Sequence, residues 1–165
     1  MSEALDRVFE HVSKTIQAPP SATITKFPAL SARRFRDVDA TGGARGELEE
    51  QVGQDRVFEI AIDDLSLTPV LLGGATVSAY DLSFPIRVRY EGAGPHRQAD
   101  TTQQIVHDLA AVVDALTRSS WSSIAGVASL RARPGNLTRF VISDDAGNSF
   151  EGYIGSVVVD ASIDI

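Results

Sequence analysis

The 165-residue chain contains no cysteine, which removes disulfides, thiolate zinc sites, iron–sulfur ligation and cysteine nucleophiles together. Long apolar runs are missing too. The longest unbroken aliphatic stretch, Leu109 to Val113, is five residues against the ~20 that a spanning helix requires. The amino terminus shows no basic-then-apolar order of a signal peptide. The expectation is a soluble chain that works inside the cell or in a particle assembled there, with no membrane partner. Positive charge is in deficit, with 15 Lys and Arg against 22 Asp and Glu and a formal net charge of −7. That balance disfavours binding nucleic acid by neutralising phosphates.

What is present suits one domain. The hydrophobic content of 43% is enough for a single core, and a chain of this length buries roughly 70% of its unfolded surface without staples. Leu5, Val8, Phe9, Val12 and Ile16 share one helix face, with Pro19-Pro20 ending the helix. Thr23 to Phe27 alternates like a strand. Asp39 to Gln54 holds four glycines and four acidic residues and predicts a mobile loop. Arg56 to Asp63 predicts a strand with Phe58, Ile60 and Ile62 on its buried face. Asp64 to Thr76 reads as a long, unusually apolar connection. Tyr80, Leu82, Phe84, Ile86, Val88 and Tyr90 occupy every second position of a long strand with one wet face. Within it Pro85 implies an edge or a bulge. Asp100 with Gln103 suggests a reciprocal cap for a second helix that buries Ile105, Leu109, Val112, Val113 and Leu116. From Val127 onward three short strands are expected, with turns at Pro134-Gly135-Asn136 and Asp144 to Asn148. The expected fold is α+β: one domain over residues 1–165, a mostly antiparallel sheet with two amphipathic helices packed on one face.

No catalytic constellation emerges. Asp37-Val38-Asp39-Ala40-Thr41 has the DxDxT spacing of haloacid-dehalogenase-like phosphatases, but Ser31 to Arg36 is unlike the rigid hydrophobic strand such a nucleophile needs. As a calcium loop the segment offers Leu48 where a bidentate Glu belongs. His11 and His107 fall off the apolar helix faces and His96 falls in a turn. None has metal-ligand spacing, and GxSxG and GxxxxGK[ST] are both absent. The expectation is no enzyme, no metal and no cofactor.

Residues suited to holding neighbours remain. Arg33-Arg34-Phe35-Arg36 is the basic cluster. Arg87 and Arg89, two apart, project from the open face of the long strand. Leu71 and Leu72 either fill the core or form a contact, and Ile163 and Ile165 end a strand that runs to the carboxyl terminus. Arg33, Arg34, Arg36, Leu71, Leu72, Arg87, Arg89, Ile163 and Ile165 are therefore the candidate subunit-interface set.

The amino-terminal helix Leu5 to Ile16, the strand Tyr80 to Tyr90, the helix Ile105 to Leu116 and the final strands around Tyr153 to Val159, in this order, resemble the tail terminator, or tail-to-head joining, proteins of long-tailed bacteriophages. The chain departs from that pattern in the length of Asp39 to Gln54 and of Asp64 to Thr76. The resemblance implies a homohexameric ring, found in the tail and neck of the virion, that stops polymerisation of the tail tube. Its implied partners are copies of itself, the tail tube protein and a neck or head-completion protein, with DNA passing through the lumen without sequence-specific binding. Two other readings stay open: another neck or tube-end component, and a small α+β hydrolase or ligand-binding domain.

Overall fold

Alternation over Tyr80 to Tyr90 does what the period of two requires: it sets one row of large apolar side chains against a core and the other row away from it. The computed structural model describes residues 2–17, 36–37, 57–73, 76–91, 98–143, 147 and 149–164. In chain order these form α1 (Ser2–Gln17), β1 (Arg36–Asp37), β2 (Val57–Ile60), β3 (Ser66–Leu72), β4 (Thr76–Glu91), α2 (Gln98–Arg118), β5 (Val127–Ser143) and β6 (Ser149–Asp164). Short 3-10 turns cover Ile62–Asp64 and Trp121–Ser123.

The six strands make one sheet in the order β1-β2-β4-β6-β5, with β3 also paired to β4. β1 runs parallel to β2, and every other pairing is antiparallel. β4 is the spine. On one side it pairs with β6 from Ala79↔Asp164 to Glu91↔Gly152. Its other side is shared, by β3 over Thr76 to Ser83 and by β2 over Ile86 to Arg89.

Pro85 sits in the gap between those two partners. Its carbonyl accepts from Ala61 N–H at 3.0 Å, and since N and O of one strand residue point the same way, its missing donor falls where no ladder continues. The proline thus marks the junction between two neighbouring strands.

One face of the sheet carries both helices. Leu82, Phe84, Ile86, Val88 and Tyr90 of β4 lie beside Ala161, Val159, Val157 and Tyr153 of β6. Over them pack Val8, Val12 and Ile16 of α1 and Ile105, Leu109, Val112 and Leu116 of α2, all in one buried cluster. Burying each large aliphatic or aromatic side chain contributes about 1.5–3 kcal/mol. Phe9 meets Phe84 edge to face, with centroids 5.1 Å apart at 83°, a geometry that adds about 0.5–1.5 kcal/mol beyond the buried area. Two features set the seating of α2. The Tyr90 hydroxyl donates to Oδ2 of the buried Asp108 at 3.1 Å, and Gly155 leaves room for Leu109, whose Cδ1 lies 2.5 Å from where a Cβ would stand. The fold is α+β, one domain with two helices on one face of a mostly antiparallel sheet.

Four expectations change. Ser66–Leu72, read as a connection, is the strand β3. Most of it is exposed on both faces, so no buried face imposed alternation on its sequence. Gly73, which follows it, has φ +63°, a backbone region glycine enters at little cost. The strand at Arg56 to Asp63 stops at Ile60, because the 3-10 turn turns the chain there and leaves Ile62 exposed. The expected cap residue Asp100 lies within the first turn of α2, which begins at Gln98.

Finally, three short strands prove to be two long ones. Pro134-Gly135-Asn136 is a bulge in β5 where the register shifts. Ser156 Oγ accepts from Asn136 N–H at 2.7 Å and donates to Asn136 O at 3.2 Å, replacing the interrupted ladder. The strand at Thr23 to Phe27, the loop at Asp39 to Gln54 and His96 lie outside the described residues.

Candidate assembly surface

Neither helix covers the second face of the sheet. Alternation places Asp81, Ser83, Pro85 and Arg87 of β4 there, beside Ile154, Ser156, Val158 and Asp160 of β6, with Arg131 and Arg133 on β5. Ion pairs hold this face in place. Arg87 bridges Glu59, with Nη1 to Oε1 at 3.4 Å, and Asp64. Asp160 accepts from Arg133 Nε at 2.9 Å and from Ser83 Oγ at 2.7 Å. These groups are half exposed, a setting in which each pair contributes about 1 kcal/mol or less.

Among the described residues two open grooves cross the face. One, of about 310 Å³, runs past Thr68, Asp81, Ser83, Arg131 and Asp160. The other, of about 410 Å³, runs past Pro85, Arg87, Arg133, Asn136, Ile154 and Val158. Ser83 is committed to a carboxylate that also holds an arginine. No histidine lines either groove to act as a base near neutral pH.

Among the described residues no three His, Asp or Glu side chains group as a metal site, and no helix is long and apolar enough to cross a membrane. Of the DxDxT segment, Asp37 lies in the two-residue β1, hydrogen-bonded to β2; residues 38–41 lie outside the described residues.

The edges of the sheet differ in chemistry. Among the described residues β3 pairs with β4 alone, and it carries no charged residue over its seven positions. Its leucines are strongly exposed, Leu67 at 41%, Leu71 at 54% and Leu72 at 71%. Among the described residues β5, across the sheet, pairs with β6 alone. It carries Arg131, Arg133 and Arg139 and no acidic residue, and beyond its bulge it exposes Leu137 and Val141. An uncharged, apolar sheet edge is a template for another chain, and clustered exposed aliphatics mark contact surfaces.

The interface set expected from sequence divides accordingly. Leu71 and Leu72 stand on the exposed arm, outside the core. Arg87 is on the uncovered face, held by two carboxylates. Arg89 is a correction: it is 2% exposed, its guanidinium lying over the Phe140 ring at 5.4 Å and its strand neighbour Val57 fully buried. Alternation put it on the correct face but could not show that this end of the face is covered. Ile163 is a second correction. It is fully buried between Tyr80 and Val127 in register, so the sheet consumes it within one chain. Arg36 lies in β1, in register with Val57; its side chain, together with Arg33, Arg34 and Ile165, lies outside the described residues.

Sequence reading passed over Arg131, Arg133, Arg139, Leu137 and Val141. Their signal was present, since 127–143 contains three arginines and no acid, but dividing it into two short strands hid it.

Of the histidines, His107 is exposed. His11 sits at the helix rim, where Ser119 Oγ, donating to Leu116 O at 2.6 Å, accepts from His11 Nε2 at 2.9 Å. Partial burial holds the His11 pKa below its ordinary value of 6.5. No family model matches the chain, and no curated protein matches it.

Proposed function

We propose that the chain is a ring-forming structural subunit of the tail-terminator type, which caps a growing tail tube and joins it to the neck of a long-tailed phage particle. The observation that supports this reading is the unlike chemistry of β3 and β5, neither of which has a second partner among the described strands, one uncharged and apolar, the other basic. Complementary edges on opposite sides of one sheet suit head-to-tail contacts, and head-to-tail contacts generate a ring whenever the rotation closes. Capping needs such closure, because an open-ended contact would extend the polymer instead of stopping it. The implied partners are the chain's own copies, the tail tube protein and a neck protein, in the virion. At −7 per chain a hexamer carries about −42, and a lumen lined by part of that charge repels passing DNA instead of trapping it.

Negative-stain electron microscopy of the purified chain, alone and mixed with preformed tail tubes, tests the reading. The expected result is closed rings of one diameter, or a single cap per tube with elongation halted. Tubes that keep growing in excess chain, with the chain itself remaining monomeric, would overturn it.

A further inference from the structure

We infer that the ring contact is a strand addition: the β3 edge of one copy pairs with the stretch of β5 beyond the bulge, Leu137 to Ser143, on the next copy. The inference rests on the ring reading and names its interface. The two segments match in length, since β3 has seven residues and Leu137 to Ser143 has as many. They match in polarity, as each exposes aliphatic side chains, Leu67 and Leu71 on one and Leu137 and Val141 on the other.

Charge selects this pairing over its rivals. Of the three arginines of β5 only Arg139 lies in Leu137 to Ser143, and two such stretches set side by side would bring the Arg139 of each copy together, which is unfavourable. β3 brings no charge of its own and lies next to the exposed Asp81 of β4, so it meets Arg139 without like-charge repulsion. The first half of β5 is guarded. Pro134 and the bulge break its ladder, and Arg131 and Arg133 stand exposed along it, devices that discourage edge pairing. Beyond the bulge the guard is weaker, with Arg139 already held by Glu151. Main-chain hydrogen bonds across the joined edges provide attraction, except at Pro69 of β3, which has no N–H to donate, and the alternating aliphatics provide register.

The absence of native cysteine makes a direct test available. A Leu71→Cys, Val141→Cys double variant, treated with a short bismaleimide, is expected to give a ladder of covalent oligomers that stops at the ring number. Each single variant is expected to give dimers at most. Leu71→Lys with Leu72→Lys, at exposed positions, is expected to keep the circular dichroism spectrum and to raise the concentration needed for association by about tenfold or more.

Rings visible by microscopy with no ladder from the double variant, or rings that persist in the lysine variant, overturn the strand addition and leave the ring reading standing. A ladder without an upper limit, accompanied by filaments, supports the strand addition and overturns the ring. A monomer that neither crosslinks nor caps tubes overturns both.

Discussion

Gly155 offers the sharpest test of how α2 is seated on the sheet. A Cβ at this position would stand 2.5 Å from Leu109 Cδ1 and 3.3 Å from Cγ, so Gly155→Ala forces the leucine off its rotamer or lifts the helix. Overpacking of this kind costs about 1–3 kcal/mol, partly offset by the ~0.5–1 kcal/mol that alanine gains over glycine inside a strand. The net expectation is a loss of about 1–2 kcal/mol, or a Tm lower by about 2–8 °C for a chain of this size. Leu109→Ala, at a buried position, opens a cavity and costs about 2–5 kcal/mol. In the double variant the new methyl occupies space the leucine has vacated. Its total cost is therefore expected to fall short of the sum of the singles by about 1 kcal/mol or more. Urea titration of the four proteins measures this, provided the m-values agree. Costs that add to within ~0.5 kcal/mol would refute the proposed contact between Gly155 and Leu109.

Two further outcomes follow from the same geometry. Val157 is fully buried under both helices, so Val157→Asp places an unpaired carboxylate in the core at a cost of several kcal/mol; circular dichroism should report loss of the native fold, and a cooperative unfolding transition at the wild-type Tm would contradict the assigned core. His11 titrates below its ordinary 6.5 because of partial burial, so the unfolded chain binds its proton more readily than the folded one. Its contribution is present above pH 6.5 and is lost as pH falls through the lowered native value. Tm should therefore drop between neutral pH and pH 5 by more in the wild type than in His11→Gln, and parallel pH profiles would show that the imidazole is not the group responsible.

The elements legible from sequence are those with one wet and one dry face. α1, α2 and β4 each announce themselves by the period of their apolar residues, and their inward rows are the rows found in the core. β3 was not legible because neither of its faces is packed, so burial imposed no alternation. β5 reads as two pieces because Pro134-Gly135-Asn136 carries the composition of a turn, although a serine on the partner strand turns it into a bulge.

The amino-acid sequence alone determined the fold class, the absence of thiol chemistry and the acidic balance, because periodicity and composition are local properties. Only the tertiary structure decided which residues face outward. Arg89 and Ile163 looked available and are buried, whereas Leu71, Leu72 and the arginines of β5 stand exposed on strands with a single partner among the described residues. An edge is a property of which strand lacks a neighbour, and no single stretch of sequence contains that information.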